Sequence, residues 1–260
     1  MKILVTGAAG FIGYHICKKL LDHEIEIIGI DNLNKYYDPL LKERRLKELQ
    51  KFYKVKSNKF KIYNVDIENT KDIGNIFKEH QPKVVINLAA QAGVRYSLEK
   101  PNIYLSSNIV GFGNILENCR LNSVEHLLFA SSSSVYGSNN QLPYKEDQRV
   151  DHPLSIYAAS KRSNELMAYS YSHLYNLKCT AMRFFTVYGP WGRPDMALYK
   201  FTEAIINQNA IKIFNKGKLR RDFTYIDDVT ESIYRLIYKP PTKELSNFDD
   251  ENQNSSFVPF

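Results

Sequence analysis

Apolar residues in this chain follow two patterns that take turns. Ile3-Leu4-Val5, Ile25 to Ile30, Lys61 to Val65, Val84-Val85-Ile86, Leu127 to Ala130 and Cys179 to Phe185 are short, largely apolar runs of strand length. Between them apolar side chains recur at three- and four-residue spacing. That spacing predicts helices up to about Asp22, within 32–58 (Leu40, Leu41, Leu46, Leu49), from near Thr70, from Pro101 to Arg120 and from Tyr157 to about Tyr175. Strand and helix alternating in this way predict an α/β fold built on one doubly wound parallel sheet. Past Thr186 the alternation stops. A loop, Tyr188 to Pro194, holds the single tryptophan, and helices are expected over Asp195 to Asn207 and Ile226 to Tyr238. From Pro240 the chain turns to Asn, Ser, Asp, Glu and Gln with no period, and no regular structure is expected there. The reading is a main domain over 1–185, a smaller lobe over 186–239 and a polar tail over 240–260, with no repeat of solenoid length.

A chain of 260 residues buries a sizeable core, and its net charge of +7 is spread through helical stretches such as Lys42 to Lys56. Such a face is usually solvated. The functional alternative is a site for anionic ligands such as nucleotides; nucleic acid is disfavoured because no helix-turn-helix, zinc or RNP-type pattern accompanies the charge. The three cysteines, Cys17, Cys119 and Cys179, lie far apart among apolar neighbours, which fits core positions in a reducing cytosol. Met1-Lys2 leads into a strand without a signal peptide, and no apolar run nears the roughly 20 residues of a membrane helix, so a soluble cytoplasmic protein is expected. The six histidines show no ligand spacing, and no metal is expected.

The first chemical motif joins the first strand to the first helix. In Thr6-Gly7-Ala8-Ala9-Gly10-Phe11-Ile12-Gly13, Gly7 permits a tight turn, Gly10 lets the backbone approach a diphosphate and Gly13 allows helix and strand to pack closely. The helix amino terminus, with Phe11 and Ile12, then faces the phosphates. Three glycines alone would equally suit a plain strand-to-helix turn. The second strand decides between them, because it ends in Asp31, eighteen residues after Gly13, where a carboxylate accepts from both adenosine ribose hydroxyls and repels a 2'-phosphate. The cofactor implied is NAD rather than NADP. Asn32 adjoins this site. Asp66-Ile67, ending the third strand, borders the adenine, although Asp66 suits a helix cap equally. Asn87-Leu88-Ala89-Ala90 ends the fourth strand in small residues that admit a cofactor beside the backbone. Asn108 is counted with the cofactor site, as either a buried polar brace or a solvated residue.

The second motif pairs Ser131-Ser132-Ser133-Ser134-Val135-Tyr136-Gly137 with Tyr157-Ala-Ala-Ser-Lys161. The apolar run before the serines places their hydroxyls at a strand's carboxyl end, where open α/β sheets keep ligands. Tyr157 and Lys161 share one helical face a turn apart, and a cation there favours the phenolate that proton abstraction from an alcohol needs. Alone, the spacing also fits an exposed pair, since the chain has 18 tyrosines. Lys216, Lys218, Arg220 and Arg221 form a basic loop suited to a diphosphate or to a solvated turn.

With these residues the chain resembles the extended short-chain dehydrogenase/reductases, whose fold is of Rossmann type, and within them the nucleotide-sugar epimerases acting on UDP-glucuronate at C4. The superfamily marks are the glycine motif, Asp31, Asp66, Asn87-Leu-Ala-Ala and Tyr157-x-x-x-Lys161. More specific are Asp31-Asn-Leu-Asn-x-Tyr-Tyr-Asp38, Ala90-Gln-Ala-Gly-Val-Arg-Tyr-Ser97, Arg183 to Met196 and Arg221-Asp-Phe-Thr-Tyr-Ile-Asp-Asp228. The resemblance implies a catalytic Ser132, Tyr157 and Lys161. It also implies Ser133 and Ser134 facing the sugar, Arg95, Thr186 and Arg193 at the substrate, and Arg221 at the diphosphate. Dehydratases and decarboxylases of the group carry Glu where this chain has Ser134. The likeness ends near Tyr238, where family members continue, so a shortened substrate lobe is expected. The implied activity is NAD-dependent 4-epimerisation of a UDP-sugar, with a homodimer as one assembly. Another enzyme of the group, such as a UDP-hexose epimerase or a uronate decarboxylase, and a non-catalytic NAD-binding protein are the alternatives.

Overall fold

The protein is described by a computed structural model over residues 1–53, 59–213, 215–218, 220–242 and 257–259. In chain order its elements are β1 (Lys2–Thr6), α1 (Phe11–Asp22), β2 (Glu26–Asp31), α2 (Pro39–Tyr53), β3 (Phe60–Asn64), α3 (Thr70–His80) and β4 (Val84–Asn87). There follow α4 (Tyr96–Glu99), α5 (Pro101–Tyr104), a π-helical stretch (Leu105–Val110), α6 (Gly111–Leu121), β5 (His126–Ala130), a short 3₁₀ turn (Ser133–Tyr136) and α7 (Ile156–Tyr175). The remainder comprises β6 (Cys179–Met182), β7 (Thr186–Tyr188), α8 (Ala197–Ile206), β8 (Phe223–Tyr225), α9 (Ile226–Ile237) and β9 (Phe257–Pro259).

The main sheet is parallel throughout, in the order β3-β2-β1-β4-β5-β6-β9. Strand order reverses between β1 and β4, and the crevice outside the carboxyl ends of those strands is where ligands bind in such sheets. The central strands are apolar through their middles because both faces are covered: Ile3, Leu4, Val85, Ile86, Leu127 and Leu128 are fully buried. One face packs on α1 and α9 through Ile16, Leu20, Ile233 and Ile237. The other packs on α3, α6 and α7 through Ile73, Phe77, Phe112, Ile115 and Ala168. Each such side chain contributes roughly 1.5–3 kcal/mol by leaving water. The three cysteines are unpaired core residues, as expected. Among the described residues no helix is long and apolar enough to cross a membrane.

Three expectations change. The sixth strand stops at Met182 instead of Phe185, because Arg183 is drawn to Glu165 and the backbone bends so that Phe184 N–H donates to Met182 O at 3.0 Å. The helix from Pro101 is interrupted by the π-helical stretch, which turns Asn108 inward at 2% exposure. Within the tail expected to lack regular structure, residues 257–259 instead add an edge strand beside β6, a place where strand-forming Phe and Val and a terminal Pro are tolerated. Most of the rest of that tail lies outside the described residues.

Candidate active site

The glycine turn leaves β1 with Gly7 at φ +68°, a conformation suited to glycine, and a Cβ there would lie 2.8 Å from Ala89 N. A Cβ on Gly13 would lie only 2.0 Å from Gly7 O, so helix α1 can sit on the turn only without one. Gly10 N–H donates to Gly7 O at 2.9 Å, and the first helical bond runs from Tyr14 N–H to Gly10 O. By helix geometry the N–H groups of Phe11, Ile12 and Gly13 then have no intrahelical acceptor and point out of the amino terminus. A concave backbone of this kind, closed to any side chain, fits a dinucleotide diphosphate. Thr6 braces the facing strand end: its hydroxyl donates to Asn87 Oδ1 at 2.6 Å and accepts from Ala89 N–H at 3.1 Å.

Asp31 ends β2 at 6% exposure. Its Oδ2 accepts from Ala9 N–H at 3.1 Å, and its Oδ1 accepts from Leu33 N–H at 2.9 Å and from Lys42 Nζ at 3.3 Å. Asn32 and Asp66 meet, Nδ2 to Oδ2 at 2.7 Å, and Ile67 is buried beside them. The cap of α3 is Asn69, whose side chain accepts from Asp72 N–H, so Asp66 does not serve as that cap. Leu88, Ala89 and Ala90 are half-buried along the turn. Asn108 is a brace: its amide accepts from Gln91 N–H at 2.7 Å and donates to Gln91 O and Ser160 Oγ, which commits both ends of the group to protein partners.

At the end of β5, Ser131 Oγ donates to Glu165 Oε1 at 2.6 Å, and Ser132 Oγ accepts from Ser134 N–H to open the 3₁₀ turn. Ser133 N–H donates to Phe184 O at 2.9 Å, tying the serines to the bend after β6, while Ser133 and Ser134 stay half-buried. Helix α7 begins under a Ser155 cap whose Oγ accepts from Ala158 N–H, and this fixes Tyr157 and Lys161 in its first turns. Tyr157 is half-buried and packs edge-on against the Tyr104 ring at 6.1 Å. Lys161 is 3% exposed and donates to Ala130 O at 2.8 Å; burial pulls its pKa down to about 8. Beneath the serines lies an ion pair that composition does not reveal. Glu165 takes Arg183 bidentately, Nε at 2.9 Å and Nη2 at 3.0 Å, and Arg162 at 3.2 Å.

Three of the longer strings that distinguish the chain meet near the Tyr104–Tyr157 ring pair. Tyr36 Oη donates to Asp195 Oδ2 at 3.1 Å across 159 residues, and Asp195 holds Arg193 through Nε at 2.9 Å and Nη2 at 2.6 Å. Burial and then the Asp195 charge push the Tyr36 phenol above its ordinary range. A Cβ on Gly93 would meet Tyr36 Oη at 2.3 Å, and Tyr36, Tyr96 and Tyr104 form a row of rings leading to Tyr157. Strands β7 and β8 pair in parallel with Thr186 opposite Phe223, and Thr186 N–H donates to Asp222 O, which brings Thr186 beside the Arg221 segment. Arg221 is exposed, with Nη1 on Arg220 O, and Arg95 is exposed at the start of α4. Lys216, Lys218 and Arg220 are exposed as well.

Sequence reasoning missed Lys42, Arg45, Tyr36, Asp195 and Glu165. The charged face of α2 was expected to be solvated, yet Lys42 is 6% exposed and Arg45 fully buried, because Asp31 and backbone carbonyls gather them. Their three-residue spacing on a helix directly after the acid-ended strand is the one signal that pointed there.

A model of the NAD dependent epimerase/dehydratase family matches residues 3–247. Protein CapI of Staphylococcus aureus is 55% identical over the whole of this chain and 76% of its own length. A probable UDP-glucuronate 4-epimerase of Rhizobium meliloti (strain 1021) is 50% identical over 94% of this chain and 70% of its own. Among solved structures, a UDP-glucuronic acid 4-epimerase of Bacillus cereus in complex with UDP-glucuronic acid and NAD has a TM-score of 0.85 at 32% identity, over 99% of this chain and 76% of that one. With the glycine turn, the buried Asp31 and a Lys161 that reaches the end of the strand leading into the serines agreeing with these matches, the chain belongs to the NAD dependent epimerase/dehydratase family.

Proposed function

We propose that the chain interconverts UDP-glucuronate and UDP-galacturonate by transient oxidation at C4. The observation that carries this reading is the meeting of Tyr36, Gly93 and the Arg193–Asp195 pair beside the Tyr104–Tyr157 ring pair, in a chain that has serine at 134 where an acid would serve elimination or decarboxylation. The UDP-glucuronate relatives and the Bacillus cereus complex support it.

Gly7, Gly10, Gly13, Phe11 and Ile12 would hold the diphosphate of NAD and Asp31 its adenosine ribose. Bound NAD+ supplies the hydride acceptor, then the donor, for C4. Tyr157 as phenolate takes the proton of the 4-hydroxyl and later returns it, with the Lys161 cation favouring the phenolate and Ser132 donating to the reacting oxygen. Release of the 4-keto sugar from one face and its return on the other inverts C4. A 4-keto uronate loses carbon dioxide readily, and a carboxylate pinned by Ser133, Ser134, Thr186 or Arg193 is kept from the geometry that loss requires. Arg221 meets the UDP diphosphate.

Incubation with NAD+ and UDP-glucuronate, with the C4 epimers resolved, tests this; a pentose product, or turnover of a neutral UDP-hexose alone, would replace the reading with a decarboxylase or hexose epimerase. NAD binding without turnover of any sugar nucleotide would leave a binding protein. Two further parts of the reading are a homodimer through the exposed apolar side chains of neighbouring α6 and α7, such as Leu121, Leu166 and Tyr169, and a cytoplasmic setting, which three buried free thiols suit.

A further inference from the structure

Arg45 is fully buried, and among the described residues no carboxylate lies within ion-pair distance of it. Its Nη1 donates to Ala9 O at 3.0 Å and Tyr37 Oη at 2.9 Å, its Nη2 donates to Trp191 O at 2.5 Å and Gly192 O at 3.5 Å, and its Nε has no partner. Every group it touches is neutral, a costly setting for a cation that cannot lose its proton. Asp31 offers no relief, because Lys42, one turn earlier on α2, already occupies it. Glu48, on the following turn, is half-buried and pairs with Lys51 at 3.5 Å. Two buried cations thus lie beside the glycine turn with one carboxylate, Asp31, which pairs with Lys42 alone, and the remaining positive charge lies against Ala9, on the turn that would hold a diphosphate.

Arg45 also reaches the far side of the cleft. The Pro190–Asp195 loop carries Arg193, and it is fastened to the cofactor half at several points. His15 Nε2 meets Pro190 O at 2.9 Å, the Tyr14 and Trp191 rings lie 5.6 Å apart, and Tyr36 donates to Asp195. Of these contacts Arg45 alone touches both the glycine turn and the loop backbone. We propose that Arg45 is a positioning residue whose charge is balanced by the cofactor diphosphate across the Ala9–Gly10 turn and whose fork then fixes Trp191 and Gly192, so that occupancy of the cofactor site sets the loop bearing Arg193. The proposal rests on NAD binding as read above.

Trp191 is the chain's single tryptophan and 37% exposed, so its fluorescence reports this loop directly. Acrylamide quenching of the whole chain is measured with and without saturating NAD, alongside calorimetric NAD affinity, for the unmutated protein, Arg45→Lys and Arg45→Met. NAD is expected to lower the quenching constant of the unmutated protein. Arg45→Lys keeps the charge and loses the fork, so it should bind NAD and lose the NAD-dependent protection of Trp191. Arg45→Met should lose the protection and also bind NAD about tenfold more weakly or worse, the worth of a charge-assisted contact. Equal protection in all three proteins, or none in an unmutated protein that binds NAD, overturns the proposal while leaving the functional reading intact. Failure of both variants to fold makes Arg45 a folding residue and overturns it too. An unmutated protein that does not bind NAD removes the functional reading itself, and the proposal with it.

Discussion

At Tyr157 a half-buried phenol stands one helical turn before a lysine that is 3% exposed. Tyr157→Phe keeps the ring against Tyr104 and removes the proton acceptor, so turnover should fall by about two to four powers of ten with NAD affinity retained; equal turnover would exclude Tyr157 as the base. Lys161 adds a pH signature. Burial brings its pKa down to about 8, so the cation that favours the phenolate is present below that pH and lost above it. The free protein's kcat/KM should therefore fall about tenfold per pH unit beyond 8, and a flat profile to pH 10 would contradict the assignment. Stability moves the other way. Between about 8 and the ordinary 10.5 the unfolded chain holds the proton that the folded chain has released, so this residue's contribution to stability rises with pH across that window. Asp31→Ala should narrow the preference for NAD over NADP, more so because it leaves the Lys42 ammonium without its carboxylate beside the ribose site. Titration with both cofactors reads this, and an unchanged ratio would mean that the charge at 31 does not select.

Between elements, the Glu165–Arg183 pair ties helix α7 to the bend after β6 and holds the serine turn above it through Ser131. Glu165→Gln leaves Arg183 buried without its counter-charge and should cost about 3–5 kcal/mol, read as a fall in the unfolding midpoint; a shift within error would show that Arg183 has another outlet. The strands and helices of the main sheet were legible because apolar runs and three-to-four spacing are local properties, and the glycine turn with Asp31 was legible because its spacing is dictated by a ligand. The long-range polar contacts were not, since the Glu165–Arg183 ion pair spans eighteen residues and the Tyr36–Asp195 hydrogen bond spans 159, and nothing local to either partner announces the other. The end of β6 was misjudged for the same reason. Phe184 and Phe185 continue an apolar pattern, and only the distant Glu165, by drawing Arg183, turns them out of the sheet. On α2 the charged face looked like a solvated one because burial of Lys42 and Arg45 depends on acceptors from three other segments.

Over the whole molecule, apolar side chains are unevenly covered. Helix α8 has no buried residue, and Leu198, Ile205 and Ile206 are 68%, 65% and 74% exposed. Such a face favours association. Sedimentation velocity should show concentration-dependent association of this chain, reduced by Leu198→Glu with Ile206→Glu; a monomer at all concentrations would count against both this face and the α6–α7 face. The π-helical stretch at Leu105–Val110 governs a different property, the kind of genetic change the molecule can absorb. It holds one residue more than an α-helix needs for the same advance, so a single-codon deletion there lets the ladder close into ordinary α geometry. The flanks would keep their relative rotation, but the widened turn that aims Asn108 at Gln91 and Ser160 would be gone. Substitutions elsewhere trade stability against chemistry, whereas loss of one codon in this stretch would leave a folded protein whose cleft has lost its polar brace.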